Sequence, residues 1–319
     1  METLRCIEIC AGAGGQALGL ERAGFHHEVL VEIDKHACET LRINRPRWNI
    51  FEGDVHDFSA KKYSGIDLLS GGVPCPPFSV AGKQLGKFDS RDLFPEAIRL
   101  VSECMPKTVM LENVKGLLSP SFMKYRKHIL KKLFEMGYSS EICAVNACDF
   151  GVSQNRTRVI IIAIRKDIKK SFCWPAISPA SLPTVGELLY DLMKQNGWHG
   201  ALEWKKKAKG IAPTLVGGST KHGGPDLGPT RSRKAWLQLG VDGTSLADEA
   251  PVRNFIGNPK LTPRMAARIQ GFPDDWQFSG RKTAAYRQIG NAFPPPVAES
   301  ISLEISLCIK KPALFKKVA

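Results

Sequence analysis

The stretch that most limits what this chain can fold into lies at its front. Residues 4–25, LRCIEICAGAGGQALGLERAGF, run from a short apolar segment through a glycine-rich turn into helical spacing. Gly12, Gly14 and Ala17 fit the G-x-G-x-x-G/A pattern, in which glycines let the backbone turn tightly and approach a ligand at a helix N-terminus. Glu32 supplies an acidic residue 20 positions after Gly12. Such a turn needs a strand before it and a helix after it, so it predicts an open α/β sheet with a ligand at the carboxyl ends of its strands. By itself it is the signature of a nicotinamide or flavin dinucleotide site.

The next 150 residues or so keep alternating in the same way. LRCIEI, EVLVEI, IDLLSGG, TVMLENV and RVIIIAI are short, β-rich apolar runs suited to strands covered on both faces, and they predict a doubly wound parallel sheet. QALGLERAG, KHACETLRIN, LFPEAIRLVSECM and SFMKYRKHILKKLFEMG carry helical spacing between them, with Gly24 and Gly137 as stop signals. From Ser171 to Lys260 the chain turns rich in Pro, Gly, Ser and Thr. Trp174, Trp198, Trp204 and Trp236 give this part aromatic mass, so it reads as a second, loop-rich domain and not a linker. Helical spacing returns in TPRMAARIQGF and PPPVAESISLEISLCI.

Composition narrows the partners. No run of about 18 apolar residues spans a membrane and no signal-peptide hydrophobic region opens the chain, which predicts a soluble, cytoplasmic protein. Nine cysteines without a C-x-x-C pair read as reduced thiols and not as disulfides or a zinc site. The net charge of +14 is uneven: residues 1–152 hold 19 Lys and Arg against 19 Asp and Glu, whereas residues 153–319 hold 26 against 12. This asymmetry points to a polyanion partner. The run KKKAK, Lys205–Lys209, reads instead as a solvated face.

The dinucleotide reading weakens further along. IDLLSGG leads into GGVPCPPFSVAGKQLG, which puts Cys75 just past a strand end with Pro74, Pro76 and Pro77 stiffening its loop. TVMLENV brings Glu112 and Asn113 to the same edge. A carboxyl group in a cleft beside a nucleophilic thiol can be held at a raised pKa and can protonate a substrate nitrogen. QNRTR adds Arg156 and Arg158, suited to anchoring a phosphate or a base oxygen.

AGAGG, GGVPCPPFS, LENV, QNRTR, RIQGFP and QIGNAFPPPVA follow the motif order of the cytosine-5 DNA methyltransferase family, which the chain closely resembles over residues 4–165 and 261–300. The resemblance implies a Rossmann-like S-adenosylmethionine-dependent methyltransferase sheet with a second, smaller loop-rich target-recognition domain. Residues 1–170, completed by a C-terminal helix over 283–319, would be catalytic, and residues 171–282 would choose the target. The cofactor is then S-adenosylmethionine, with no metal. Cys10, Ala11, Gly12, Ala13, Gly14 and Gly15 would cradle it, Glu32 hold its ribose hydroxyls, Ile33 pack on the adenine, Asp54 accept the adenine amino group and Val55 cover the other face. Pro74, Asn291 and Ala292 would close the methionine side. Where members commonly read Asp-Leu-Phe before the glycine loop, this chain reads Glu8, Ile9 and Cys10, which removes an aromatic ring from beside the cofactor.

The resemblance also implies a mechanism. Cys75 would add to carbon 6 of a cytosine flipped out of double-stranded DNA, with Glu112 at ring nitrogen 3 and Arg158 favouring the thiolate. Ser79, Gly82, Lys83 and Gln84 lie in a glycine-bearing segment that resembles the family's closing loop. Thr214 and Leu215 match the Thr-Leu signature of the recognition domain, and Lys221, His222, Arg231 and Arg233 are candidates for base or phosphate contacts. A monomeric prokaryotic or phage modification enzyme is expected, sharing its cell with a cognate restriction endonuclease that it does not touch. Two rival readings stand beside this one. A nicotinamide oxidoreductase leaves PCPPFS and LENV without a role, and the transfer RNA branch of the lineage carries a Cys-Phe-Thr signature that this chain lacks.

The charge split generates a first prediction. Affinity for DNA, measured by fluorescence anisotropy across a salt series, should fall with the slope of several phosphate contacts while affinity for S-adenosylmethionine hardly moves. A DNA slope near that of a single contact would contradict it.

Overall fold

The computed structural model describes residues 3–74, 92–168, 171–177, 181–217 and 224–310. The first half of a sheet is built from β1 (Leu4–Ile9), α1 (Gly15–Arg22), β2 (Phe25–Glu32), α2 (Lys35–Asn44) and β3 (Ile50–Glu52). It continues through β4 (Leu68–Gly72), α3 (Phe94–Cys104), β5 (Thr108–Val114), α4 (Met123–Glu135), β6 (Tyr138–Asn146) and β8 (Thr157–Arg165). Between β6 and β8, β7 (Gln154–Asn155) stands apart from this sheet. The helices begin and end where local chemistry requires it. Asp34 caps α2 by accepting from the backbone N–H groups of His36 and Ala37, and Gly24 and Gly137 take positive φ of 88° as the chain leaves α1 and α4.

The strand order is β3-β2-β1-β4-β5-β8-β6. The first five of these run parallel, as expected, but RVIIIAI does not: β8 is antiparallel to both β5 and β6. The physical reason is β6, whose YSSEICAVN is only partly buried at the sheet edge and carries no apolar run to announce it. A short connection returns the chain alongside β6, which fixes the opposite direction for β8. This reversal matters for the site, because the first residues of β8 now lie at the edge where β5 ends: Arg158 pairs with Val114.

One face of the sheet buries Ile7, Ile9, Val31, Leu69, Leu111 and Ile161 against Phe94, Leu100 and Val101 of α3 and Ile129 and Leu133 of α4. The opposite face buries Cys6, Leu68, Met110, Ile160 and Ile162 against α10 (Pro295–Ile309) through Val297, Ile301 and Ile305. Among the described residues all cysteines are free thiols, and no helix is long and apolar enough to cross a membrane.

The later part of the chain holds more helix than its composition suggests: α5 (Val185–Lys194), α6 (Ala201–Lys207), α7 (Thr230–Gln238), α8 (Pro263–Ile269) and α9 (Lys282–Asn291). In α5 the apolar positions Val185, Leu189 and Met193 recur every four residues, and Thr184 with Glu187 forms a capping box. These helices share a core with Trp198, Trp204 and Trp236. Trp174 is the exception to the expected aromatic mass. It packs edge-on to Phe172 beside the sheet and donates its ring N–H to Glu141 at 2.9 Å. The expected single C-terminal helix is two, α9 and α10, divided by Ala292–Phe293–Pro294 because proline cannot continue the hydrogen-bond ladder. Residues 311–319 lie outside the described residues.

Helices α1 and α10 touch closely at Gly19. A Cβ there would stand 2.5 Å from the Ala298 Cβ and 2.6 Å from the Pro295 carbonyl oxygen. An exposed Gly→Ala change gains up to about 1 kcal/mol of helix propensity, whereas overpacking a tight contact costs about 1–3 kcal/mol. The clash should win, so Gly19→Ala is expected to lower the urea midpoint; an unchanged or raised midpoint would show that this contact can relax.

Candidate active site

A cavity of about 880 Å³ opens at the carboxyl ends of β1, β2, β4 and β5. The glycine loop forms its floor for two different reasons. Gly12 and Gly14 adopt φ of 54° and 83°, conformations that side chains disfavour, and a Cβ on Gly12 would meet nothing within 4 Å, so the backbone there faces open space. At Gly15, by contrast, a Cβ would lie 2.3 Å from the Phe293 carbonyl oxygen, so only glycine lets the C-terminal IGNAF segment lie against the loop. Cys10, Ala11 and Ala13 also line the cavity. Burial and the nearby Glu32 push the Cys10 thiol far up, which keeps it neutral.

The carboxylate of Glu32, at the end of β2, ties the loop down. It accepts from Gly12 N at 2.7 Å, Ile33 N at 2.9 Å and Asp34 N at 2.8 Å. Burial raises its pKa, and the three N–H groups act against that rise. Ile33 beside it is 64% exposed, an apolar side chain left open on the cavity wall. Asp54 accepts from the backbone N–H of His56 and from its ring Nδ1 at 2.6 Å, bonds that hold its carboxyl below the usual range. Val55 is buried and belongs partly to the sheet core. Asn291 and Ala292 complete the wall from α9, and Arg287 reaches across to Asp34 at 2.9 Å. These features fit S-adenosylmethionine: an open glycine cradle, an apolar platform for a ring, and carboxylates for hydroxyl and amino groups.

On the other side of the cavity, Glu112 at the end of β5 is buried and pairs with Arg158 Nε at 2.9 Å. Burial raises the Glu112 carboxyl above its ordinary value, with Arg158 and then Arg156 opposing the rise. Asn113 donates to the Val73 carbonyl at 2.6 Å and accepts from Val114 N, so it positions the segment that leads to Pro74. Pro74 lines the cavity. Cys75, Ser79, Gly82, Lys83 and Gln84 fall outside the described residues, as do Lys221 and His222.

Arg156 does something other than anchor a phosphate or a base oxygen. It is 1% exposed, and its guanidinium donates to the carbonyls of Leu215 at 2.8 Å, Gly290 at 2.8 Å and Ala292 at 2.9 Å. Leu215 is likewise fully buried, with its N–H donating to Gln154, so its side chain presents nothing to DNA. Thr214 is half-buried and spends its hydroxyl on the Asn155 carbonyl at 2.6 Å. This junction is continued by a two-stranded parallel pairing of β7 with β9 (Ala212–Pro213). Arg231 is exposed and Arg233 half-buried in the first turn of α7. The sequence reading missed His56 and Arg287; neither stands at a motif spacing, and only their contacts with Asp54 and Asp34 mark them out.

Comparison with known proteins agrees with this arrangement. The family model for C-5 cytosine-specific DNA methylase matches residues 4–307. The chain is 55% identical to the Type II methyltransferase M.NgoMIV of Neisseria gonorrhoeae, covering 96% of this chain and 98% of that protein. It is 54% identical to the Type II methyltransferase M.NaeI of Lentzea aerocolonigenes, over 96% of this chain and 75% of that one. Among solved structures, a prophage-encoded protein from E. coli described as a DNA modification methyltransferase superposes with a TM-score of 0.70 at 26% identity, covering 97% of this chain and all (100%) of that one. Spodoptera frugiperda DNMT2 shares the fold, with a TM-score of 0.65 at 17% identity over 96% of this chain and 100% of that one.

Replacing Arg156 with leucine would strand the buried carbonyls of Leu215 and Gly290, each costing about 1–3 kcal/mol, while that of Ala292 would keep the Gln270 amide as its donor. Arg156→Leu should therefore lower the thermal midpoint and weaken cofactor binding together, since the same guanidinium holds the α9 end. Retention of both properties, measured by calorimetry, would refute the clamp.

Proposed function

The chain belongs to the C-5 cytosine-specific DNA methylase family and is a DNA cytosine methyltransferase of the Type II restriction–modification kind; on that premise we propose that it acts on a cytosine extruded from duplex DNA, through a covalent bond from Cys75. The observation that carries this reading is the buried Glu112–Arg158 pair, which shares one cavity with the glycine loop and with Pro74, the residue before Cys75.

Carbon 5 of cytosine is a poor nucleophile. Addition of the Cys75 thiolate to carbon 6 forms a carbon–sulfur bond and makes carbon 5 an enamine terminus. Glu112, its carboxyl raised by burial, donates its proton to ring nitrogen 3 as negative charge gathers there. Arg158 keeps Glu112 oriented and leaves a positive field beside the base. When bound, S-adenosylmethionine supplies an electrophilic methyl group. Carbon 5 would form its new bond to that methyl group; loss of the carbon 5 proton to water then breaks the carbon 6–sulfur bond, freeing the Cys75 thiolate, and ring nitrogen 3 returns its proton to Glu112 as the aromatic ring is restored. Glu32, Ile33, Asp54 and the glycine loop hold the adenosyl end, while Asn291 and Ala292 close the opposite side.

A base inside a helix is out of reach of such a cavity, so the target nucleotide leaves the stack at a cost of a few kcal/mol, offset by contacts with the distorted DNA. Residues 171–282 would select the target, and the basic surplus of the second half would hold the duplex. The protein would act as a monomer, alongside a cognate endonuclease that it does not contact.

DNA carrying 5-fluorocytosine at the target should trap the protein covalently, because no proton remains on carbon 5 to be lost. Cys75→Ala should abolish trapping and turnover yet keep DNA and cofactor binding, and Glu112→Gln should slow methylation by about 100-fold or more, a typical share for a positioned acid. A trapped Cys75→Ala protein, seen by denaturing electrophoresis, would overturn the proposed nucleophile.

A further inference from the structure

The balanced charge of the first half hides a local excess. Residues 113–134 hold six Lys and Arg and no Asp or Glu, which leaves 13 against 19 for the rest of residues 1–152. A surface kept soluble by charge mixes both signs, whereas here they are sorted by place. The basic stretch begins at the site, where Val114, Gly116, Leu117 and Phe122 line the cavity beside Glu112. Helix α4 then leads away from it. β5 and β6 are both antiparallel to β8 and so run the same way, which makes α4 cross from the cavity edge of the sheet to the opposite edge. Its 13 residues span about 20 Å.

α4 turns Ile129 and Leu133 into the core. Lys124, Lys127 and Lys131 follow the i, i+3, i+7 spacing of one helix face, and all three are exposed on the side away from those residues. Lys124 and Lys127, together with the exposed Lys115 on the cavity lip, have no acidic partner among the described residues. Lys131 shares Glu135 with Lys132, at 3.8 and 3.3 Å. Arg126 points elsewhere: it donates to the carbonyls of Leu117 and, at 2.8 Å, of Ser119. These two bonds fasten the lip to α4, so Lys115 and the lysine stripe keep fixed positions beside the cavity mouth. At the far end Lys166 joins Lys127 and Lys131 around a recess and stands 3.6 Å from the centre of the Phe134 ring.

Ammonium groups held in a row repel one another, and a polyanion lying along them relieves that repulsion. Duplex DNA, the substrate class of this enzyme, carries one negative charge per about 1.7 Å of its axis. We infer that the lip and α4 form a second track for duplex DNA on the catalytic side of the mouth, with Lys115, Lys124, Lys127 and Lys131 taking phosphates of the DNA that flanks the target. This goes beyond the role given above to the basic second half, because it draws a contact from the half whose net charge is zero. Ammonium groups on phosphates read no base edge, so the track lengthens the footprint and leaves the choice of sequence to other residues.

Fluorescence anisotropy with a random-sequence duplex several helical turns long, taken across a salt series, tests the track. The triple variant Lys124→Gln, Lys127→Gln, Lys131→Gln should lower the slope of log K against log salt by about 2–3, since each phosphate contact contributes about 0.9. A control triple, Lys205→Gln, Lys206→Gln, Lys207→Gln, removes the same charge from the solvated run and should leave the slope near that of the wild-type protein. Calorimetry with S-adenosylhomocysteine should give one affinity for all three proteins, which shows that the cavity is intact. If the α4 variant does not fold, Lys115→Gln with Lys124→Gln takes its place, with an expected drop of about 1–2 in slope. An unchanged slope would overturn the inference and is the result expected if the lysine face serves an acidic protein or solvation alone. An equal drop in the control would overturn it too, by assigning the effect to net charge and not to place.

Discussion

One guanidinium gathers the parts of this molecule that must act together. Arg156 sits just before β8, is shut away from solvent, and gives its N–H groups to three carbonyls from two places: Leu215 in the segment after β9, and Gly290 and Ala292 at the end of α9. Planar, multiple donation to carbonyls suits arginine and no other side chain. Through these bonds the strand that carries Arg158, the cavity wall of Asn291 and Ala292, and the junction with the later helices share one anchor. Close backbone approach reinforces it, since a Cβ at Gly290 would stand 2.4 Å from the Gly217 nitrogen.

The electrostatics of the site follow from strand direction. Because β8 runs against β5, Arg158 enters at the edge where Glu112 leaves, and the two meet at 2.9 Å with little solvent between them. Burial favours the neutral carboxyl and Arg158 the charged one. A carboxyl raised by burial holds its proton more readily than one in water, and the charged partner beside it keeps it oriented toward the cavity. A parallel β8 would have carried Arg158 to the opposite edge of the sheet and left Glu112 without its partner.

The motifs were legible because their physics is local. Gly12 and Gly14 show in sequence since positive φ excludes most side chains, Glu32 since a carboxylate at a strand end meets the glycine loop, and α5 carries a capping box and four-residue apolar spacing inside a stretch otherwise rich in Pro and Gly. Other features left no local trace. β6 is an edge strand with polar residues on its exposed positions, so its pattern was too weak to reveal the antiparallel pair, and Trp174 reads the same whether it packs with the later tryptophans or against Glu141 beside the sheet.

The amino-acid sequence alone therefore determined the order of elements, the glycine cradle, and the presence of Glu112, Asn113, Arg156 and Arg158 at strand termini, because strand and turn chemistry acts between neighbours in the chain. Only the tertiary structure decided what each does. It turned Arg156 inward to three carbonyls while leaving Arg158 on the cavity, buried Leu215 at the junction and brought Arg287 to Asp34. Those outcomes join residues up to 253 positions apart in the chain. Which donor meets which acceptor over such separations is set by how sheets and helices pack, and spacing in the sequence carries no record of it.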